Sequence, residues 1–159
     1  LDEQVGEFVL TQPNMQIPTR GKPIYSVNEA NRWQWDEPLR KYVTDLQNGE
    51  GQTGKQYTAR YLGSMVGDIH RTLLYGGVFL YPASMKRPQG KIRLIYEAAP
   101  LAFVANACGG YASDGVGDVL DMDIRDIHAR TSYFCGSVDD VKDLEACGDV
   151  QQGAARYDA

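Results

Sequence analysis

Apolar residues recur at helical spacing in two long segments of the chain. In the first segment, which follows Asp36 and ends at Gly49, they fall at i, i+3, i+4 and i+7. In the second, over about residues 61–75, they form one stripe that stops at Gly76. The two sets are Leu39, Tyr42, Val43 and Leu46, and then Leu62, Met65, Val66, Ile69 and Leu73. Because this period places side chains on one helical face, the pattern predicts an α-helix in each segment.

Two shorter segments also have helical spacing. Pro100 opens an apolar series that stops at Gly109, and proline is favoured in the first turn of a helix. The apolar positions of that series are Leu101, Val104, Ala105 and Cys108. Farther along, Ser137 and Asp140 have the spacing of a capping box, ahead of the apolar Val141 and Leu144. A third and a fourth helix are therefore predicted.

Short segments rich in β-branched or aromatic residues alternate with these helices. The predicted strands are residues 7–12, 23–27, 77–82, 91–96 and 131–136. Strands that alternate with helices are typical of α/β proteins. The pattern therefore predicts a three-layer α/β sandwich, in which helices flank a mixed central β-sheet.

Composition narrows the class of protein. The chain has 159 residues, 43% of them hydrophobic and 23% charged, which is typical of a soluble globular domain with its own core. A net charge of −5 and scattered basic residues argue against nucleic acid as a partner. The sequence has no run of about 18 apolar residues that could cross a bilayer, and residues 1–8 do not resemble a signal peptide. No membrane partner is expected.

The cysteines and histidines give no sign of a metal or redox site. Cys108, Cys135 and Cys147 form no C-x-x-C pair and occur in apolar surroundings, which favours core thiols. His70 and His128 have no partner at ligand spacing, so a structural role is favoured for both.

The segment from Gly90 to Pro100 has the highest density of candidate functional residues. Lys91 and Arg93 alternate on a predicted strand, and Glu97 follows at the junction with a helix. The two cations either form a solvated face or bind phosphate. Glu97 either pairs with Arg93 at the surface or presents its carboxylate to a ligand.

Three other clusters carry groups that could bind an anion. Arg60 and Tyr61 directly precede the second predicted helix, whose amino end attracts negative charge. Tyr81 ends a strand, and Lys86–Arg87 follows in the loop. Asn28 follows the strand at 23–27, where an asparagine commonly forms an Asx turn.

Together these segments resemble one family, the C-terminal half of fructose-1,6-bisphosphatase. The resemblance covers Leu1 to about Leu144 and includes LDEQVGEFVLT, IYSVNEANRWQW and ARYLGSMVGDIHRTLLYGGVFLYP. Its most specific part is GKIRLIYEAAPLA, which is similar to the family's signature around a metal-binding glutamate. The segments GQTGKQYTARYLGSMVGD and CGGYASDG are more similar to plastid and cyanobacterial members than to cytosolic ones.

The resemblance implies roles in substrate binding. Asn28, Tyr61 and Tyr81 match residues that hold the sugar 6-phosphate, and Arg60 matches an arginine that reaches a neighbouring subunit's pocket, which implies a homo-oligomer. Lys91 matches a lysine that contacts the sugar and its phosphates. Two further positions matter: Met65 lies where the family's backbone meets the sugar, and Asn31 replaces a phosphate-binding tyrosine found in many members.

The resemblance also implies magnesium as the cofactor, with Glu97 as a metal ligand. The family's other metal carboxylates belong to an Asp-Pro-Leu-Asp-Gly-Ser-type motif of the N-terminal half, and that string does not occur here. We therefore expect residues 1–148 to be the C-terminal sugar-phosphate-binding domain, without the N-terminal metal-binding half, and residues 149–159 to be a frayed tail. The start at Leu1 also suggests a piece of a longer protein.

The function implied is that of one part of a Mg²⁺-dependent enzyme that hydrolyses the 1-phosphate of fructose 1,6-bisphosphate to fructose 6-phosphate and phosphate. The isolated chain is expected to be inactive, because the N-terminal metal motif is missing, and no catalytic residue is assigned in this half. Sedoheptulose 1,7-bisphosphate is the alternative substrate, and a non-catalytic sugar-phosphate-binding module is the alternative from another class. The expected location is the chloroplast stroma, or alternatively the cytoplasm.

Overall fold

A mixed five-stranded β-sheet lies between two layers of helices in the computed structural model, which describes residues 1–148. The strands in the described part are β1 (Ile24–Ser26), β2 (Thr58–Ala59), β3 (Val78–Tyr81), β4 (Ile92–Arg93), β5 (Tyr111–Ser113), β6 (Arg130–Thr131) and β7 (Tyr133–Gly136). The helices are α1 (Glu37–Asn48), α2 (Met65–Tyr75), α3 (Ala99–Ala107) and α4 (Val138–Ala146). The predicted α/β sandwich is confirmed.

The sheet has the strand order β2-β1-β3-β7-β5. β1 is parallel to both β2 and β3, whereas β7 is antiparallel to β3 and β5. β4 and β6 form a separate antiparallel pair. The sheet therefore contains both parallel and antiparallel pairs. The parallel pairing of β1 with β3 places the carboxyl ends of these two strands side by side.

Two hydrophobic cores occupy the two faces of the sheet. On one face, α1 and α4 pack their apolar residues against Tyr25, Val78 and Leu80. On the other face, α2 and α3 pack against Phe79 and Cys135. Successive residues of β3 therefore enter opposite cores, as the two-residue period of a strand requires.

Local chemistry explains the ends of α1. Asp36 is the N-cap residue, and Pro38 stands in the first turn, where its missing N–H costs no hydrogen bond. Gly49 ends the helix with φ at 76°, a left-handed conformation that favours glycine. The helix predicted between Asp36 and Gly49 is confirmed.

Gly77 joins α2 to β3 at a close approach of backbone to backbone. Its φ is 82°, and a Cβ placed there would lie 2.2 Å from the carbonyl oxygen of Ile24. Only a residue without a side chain fits this contact. Gly77 therefore allows β1 to pair with β3.

Two strand predictions were wrong in part or entirely. Of the predicted strand 7–12, Glu7 forms only an isolated bridge with Asp2, and residues 8–12 form no strand and are exposed. In the predicted strand 91–96, only β4 is extended, because a π-helix of Leu94–Ala98 follows directly and leads into α3. An apolar run is insufficient for a strand when no other strand pairs with it.

The predicted face of α2 was wrong in part. Ile69 of the predicted stripe is buried, and Met65 and Leu73 pack against the core, but Leu62 and Val66 are 69% and 70% exposed. The helix instead buries the polar residues Asp68 and Thr72 beside Ile69. In α3 the buried residues are Ala102 and Ala105, and Val104 of the predicted stripe is exposed, since small side chains allow α3 to lie close to the sheet.

Other local predictions need correction. Ser137 makes no capping hydrogen bond in α4, because its hydroxyl accepts from the amide of Gly77, 3.2 Å away. Asp140 instead bonds the guanidinium of Arg20, at 2.7 Å. Among the cysteines, Cys135 is buried as predicted, but Cys108 is partly exposed and Cys147 is exposed.

Some features lie beyond what the pattern predicted. The strand β5 and the 3-10 helix Glu29–Gln34 were not predicted, since each is very short.

The tail expected at residues 149–159 lies outside the described residues. Within residues 1–148, no helix combines the length and the apolar character needed to cross a membrane.

Candidate functional site

Two adjoining cavities open at one edge of the sheet and share Tyr81 and Lys91 as lining residues. The first has a volume of about 310 Å³, and the second about 210 Å³. Asn28 lines the first cavity, whereas Tyr61, Met65 and Glu97 line the second. The structure therefore brings together all the predicted site residues except Arg60.

Strand pairing places Asn28 beside Tyr81. Ser26 of β1 pairs in parallel with Phe79 of β3, and Asn28 and Tyr81 each stand two residues farther along. Polar side chains at adjacent strand ends of an α/β sheet face the crevice where ligands usually bind. Asn28 is also the N-cap of the 3-10 helix, since its Oδ1 accepts from the amide of Ala30 at 3.2 Å.

The first cavity is positively charged. Among the described residues, its lining includes Lys86, Arg87 and Lys91 and no carboxylate. The Lys86 ammonium lies 5.4 Å from the centre of the Trp33 ring, which holds that cation beside the opening. Three cations beside amide and phenol groups form a suitable environment for a phosphate dianion.

Lys91 is held at the boundary between the two cavities. Gly90 precedes it with φ at 82°, and a Cβ there would lie 2.2 Å from the carbonyl of Thr131. The guanidinium of Arg130 donates to the carbonyl oxygen of Lys91 at 2.6 Å. The Lys91 ammonium lies 5.5 Å from the Tyr81 ring centre, so one cation can serve both cavities.

Gln34 lines the first cavity, and sequence reasoning missed it. Its side-chain amide is buried and donates to Oδ1 of Asn31 at 3.4 Å. Asn31 had been singled out as a replacement for tyrosine, and the structure pairs it with this second amide. The one sequence signal was a polar residue between two tryptophans, Trp33 and Trp35.

Tyr61 and Met65 form one wall of the second cavity. Tyr61 follows β2, and Met65 is the first residue of α2. Partial burial is the main cause that raises the pKa of Tyr61, and the nearby Tyr81 and Asp68 raise it further. The phenol is therefore a neutral donor at neutral pH, which suits hydrogen bonding to a phosphate oxygen.

Glu97 lies in the π-helix and lines the second cavity. Its Oε2 accepts from the amide of Arg93 at 2.8 Å, and its Oε1 lies 3.5 Å from the guanidinium of Arg93. The surface pair considered from the sequence is therefore present. No group of three or more His, Cys, Asp or Glu side chains in residues 1–148 could hold a metal ion.

Arg60 stands apart from both cavities. Its side chain is exposed and donates only to the carbonyl of its neighbour Ala59, at 3.2 Å, among the contacts of the described residues. None of the salt bridges in that part of the chain includes Arg60. The guanidinium is therefore available to a group outside this chain.

Comparison with known proteins identifies relatives that are similar in sequence and in fold. The chain is 55% identical over 146 residues to the class 1 fructose-1,6-bisphosphatase of Microcystis aeruginosa, and 52% identical over 145 residues to the chloroplastic fructose-1,6-bisphosphatase 1 of Arabidopsis thaliana. These matches cover 92% and 91% of this chain. The holo-form crystal structure of Leishmania major fructose-1,6-bisphosphatase superposes with a TM-score of 0.86 at 44% identity, over 92% of this chain.

The matches cover only part of each relative. The chain spans 40% of the Microcystis protein, 34% of the Arabidopsis protein and 45% of the Leishmania chain. The family described as "Fructose-1-6-bisphosphatase, C-terminal domain" matches residues 17–149. This chain therefore belongs to the family of the fructose-1,6-bisphosphatase C-terminal domain.

Proposed function

We propose that this chain is the sugar-phosphate-binding part of an enzyme that hydrolyses the 1-phosphate of fructose 1,6-bisphosphate to fructose 6-phosphate and phosphate. The observation that carries the proposal is the first cavity, whose lining within residues 1–148 includes three cations and no carboxylate. Asn28 and Tyr81 are neutral donors beside these cations, an arrangement that orients a phosphate group. Residues 1–148 act as one sugar-phosphate-binding domain.

The shared wall between the two cavities supports a substrate with a phosphate at each end of a sugar. In this proposal the 6-phosphate lies where the two cavities adjoin, held by Asn28, Tyr61 and Tyr81, and Lys91 contacts the sugar and its phosphates. The sugar extends past Met65 towards Glu97 in the second cavity. Holding the remote phosphate orients the ester that reacts, so the chain acts mainly through positioning.

The described residues do not by themselves fit a complete divalent metal site. Glu97 offers one carboxylate, and Arg93 already occupies part of it. Mg²⁺ in phosphate-handling sites commonly uses one or two carboxylates together with water and substrate oxygens. We therefore propose Glu97 as one Mg²⁺ ligand, with the other carboxylates supplied by the part of the relatives that this chain does not cover.

Arg60 has a proposed role in a neighbouring subunit. Its exposed guanidinium lines neither cavity of its own chain, and it forms no salt bridge within residues 1–148. A bidentate donor of this kind matches a phosphate group well. We propose that it completes the 6-phosphate pocket of a second copy of the enzyme in a homo-oligomer.

The relatives include chloroplastic proteins of Arabidopsis thaliana, Brassica napus and Pisum sativum, as well as cyanobacterial ones. We propose the chloroplast stroma as the location. Immunodetection of the protein in purified chloroplasts of its source organism, compared with the remaining cell fractions, tests this proposal.

The function is tested in a chimeric enzyme, in which this chain replaces the matching 146-residue part of the Microcystis aeruginosa relative. We expect Mg²⁺-dependent release of phosphate from fructose 1,6-bisphosphate. We also expect Tyr81→Phe to raise KM by about tenfold, because it removes a phenol that contacts the phosphate. The matched control is Tyr75→Phe, since Tyr75 is 45% exposed on α2 and lines neither cavity.

Three results would contradict the proposal. A chimeric enzyme that binds sugar phosphate but releases no phosphate indicates a binding module. Hydrolysis of sedoheptulose 1,7-bisphosphate without hydrolysis of the fructose substrate indicates a different specificity. Equal effects of Tyr81→Phe and Tyr75→Phe would show that the first cavity does not bind substrate.

A further inference from the structure

Asp68 is a fully buried carboxylate that receives hydrogen bonds from three parts of the chain. The hydroxyl of Ser26 donates to its Oδ1 at 2.8 Å, and the amide of Leu62 donates to its Oδ2 at 3.1 Å. The guanidinium of Arg71 donates to Oδ1 at 2.9 Å. One side chain of α2 therefore joins β1 to the loop that precedes the helix.

Two of the three partners of Asp68 stand close in sequence to residues of the proposed substrate site. Ser26 stands two residues before Asn28, and Leu62 directly follows Tyr61. Asp68 itself lies in the first turn of the helix that begins at Met65. The carboxylate thus fixes the relative position of residues that line two different cavities.

The loop between β2 and α2 has few other attachments. The amide of Arg60 donates to the carbonyl of Tyr25 at 2.8 Å, and Ser64 caps the helix. Between these two points, Gly63 has φ at 79°, a conformation that permits a sharp turn. Also between these two points, the amide of Leu62 donates to the carboxylate of Asp68. Because Leu62 directly follows Tyr61, this hydrogen bond limits how far Tyr61 can move.

Burial strengthens the effect of this carboxylate. Hydrogen bonds to a charged acceptor are shorter and stronger than neutral ones, and a low local dielectric increases that difference. Arg71 is 17% exposed and provides the compensating positive charge. The position of the loop relative to β1 is therefore fixed by Asp68, whose negative charge is balanced by Arg71, and Asp68 is buried rather than exposed.

We propose that Asp68 is a positioning residue that holds Tyr61 and Asn28 in place for the sugar phosphate. It contacts neither cavity in the described structure, and it acts through the amide of Leu62 and the hydroxyl of Ser26. The expected effect of Asp68 on substrate binding rests on the proposed function. Its expected effect on the mobility of the loop between β2 and α2 does not depend on any activity.

The first measurement is hydrogen–deuterium exchange of the Leu62 amide in the 159-residue chain without ligand. We expect Asp68→Asn to increase this exchange by about tenfold or more, the effect of weakening a charge-assisted hydrogen bond. Ser26→Ala is the milder second variant, with an expected increase of about threefold, in case Asp68→Asn does not fold. Asp140→Asn is the matched control, because Asp140 is also buried and bonds Arg20 and Tyr57 on the other face of the sheet.

The second measurement is steady-state kinetics of the same variants in the chimeric enzyme. We expect Asp68→Asn to raise KM for fructose 1,6-bisphosphate about tenfold, with kcat changed less than about threefold. Asp140→Asn lowers thermal stability but leaves KM unchanged. A merely structural role for Asp68 would give the same pattern as Asp140.

Unchanged exchange at Leu62 in both Asp68→Asn and Ser26→Ala overturns the inference, even if the wild-type chimeric enzyme is fully active. Faster exchange with KM altered equally by Asp68→Asn and Asp140→Asn also overturns it. An inactive wild-type chimeric enzyme contradicts the proposed function instead. In that case faster exchange at Leu62 still supports the hold of Asp68 on the loop.

Discussion

At the scale of single residues, Glu97 has two roles that one substitution separates. Its carboxylate pairs with Arg93 in the described structure, and the proposed role is to bind Mg²⁺ when the enzyme is complete. A half-exposed ion pair stabilises a protein by only about 0–1 kcal/mol. A metal ligand, in contrast, affects the reaction strongly and the folding of its own chain little.

We expect Glu97→Gln to lower kcat of the chimeric enzyme by about 100-fold or more, because the loss of one charge weakens metal binding at the reacting phosphate. The free energy of unfolding should change by less than about 1 kcal/mol. Mg²⁺ titrations of activity and urea denaturation measure the two effects. Asp45→Asn is the control, since Asp45 forms a similar i,i+4 pair with Lys41 away from both cavities.

If Glu97→Gln keeps the wild-type turnover and Mg²⁺ dependence, the proposed metal role is contradicted. The surface pair with Arg93 is then the remaining role of Glu97. A loss of activity with an equal loss in Asp45→Asn would also contradict the metal role.

Arg60 is the second residue for which a single substitution tests the proposed role. That role is to contact the phosphate pocket of a second subunit. We expect Arg60→Ala to raise KM of the chimeric enzyme about tenfold and to lower kcat less than about threefold, because the proposed role of the guanidinium is to bind a phosphate that does not react. Arg40→Ala, at an exposed position of α1, serves as the control for loss of a surface charge.

Mixed oligomers test the subunit that Arg60 serves. One partner carries Arg60→Ala, and the other carries Tyr81→Phe with an intact Arg60. The pockets of the Arg60→Ala subunits should then regain a low KM, because the intact Arg60 of the partner subunit reaches them. Absence of this rescue would contradict the proposed contact between subunits.

At the scale of elements, a buried tyrosine network joins α1 to the segment that carries Asn28. The Tyr25 hydroxyl donates to Oε1 of Glu29 at 2.5 Å, and the side-chain amide of Gln47 donates to both Tyr25 and Glu29. Burial, and then the bond to Glu29, raise the pKa of Tyr25 to about 12. This network holds the 3-10 helix Glu29–Gln34 against α1.

The raised pKa predicts a loss of stability in alkali. Below pH 10, Tyr25 is protonated in both states, so its contribution is fully present. Between pH 10 and about 12, the unfolded chain loses this proton first, and the free energy of unfolding falls. We expect Tyr25→Phe to reduce the decline in that window, as measured by urea denaturation at several pH values.

The wild-type chain, measured at the same pH values, is the reference. An unaltered decline in Tyr25→Phe would show that Tyr25 does not titrate differently in the folded protein. Tyr42 and Tyr57 also have a pKa raised mainly by burial, so they add to the decline in the wild-type chain and in Tyr25→Phe alike.

At the scale of the whole molecule, the proposed role of the chain is to bind one end of a substrate, and its described residues contain no group of three or more His, Cys, Asp or Glu side chains that could hold a metal ion. We expect the isolated 159-residue chain to release no measurable phosphate from fructose 1,6-bisphosphate with Mg²⁺. The chimeric enzyme is the positive control in the same assay. Phosphate release by the isolated chain at rates ordinary for enzymes, in preparations free of other phosphatases, would contradict this expectation.

The sequence by itself determined the features that depend on neighbouring residues. The apolar period and caps of α1 located that helix, and the short apolar strand β3 was located between Gly77 and Pro82. The segments around Asn28, Tyr61, Tyr81 and Lys91 resemble segments of fructose-1,6-bisphosphatase in their order along the chain, and this resemblance is what predicts phosphate binding at these residues.

Only the tertiary structure decided which faces are buried and which groups meet. Asp68 on α2 is buried because Ser26, Leu62 and Arg71 supply donors from distant positions, and no local period contains that information. The π-helix after β4 and the absence of a strand at residues 8–10 likewise depend on pairing across the fold. Backbone groups form sheets only with partners, and a buried charge is stable only with donors, so both outcomes required contacts between distant parts of the chain.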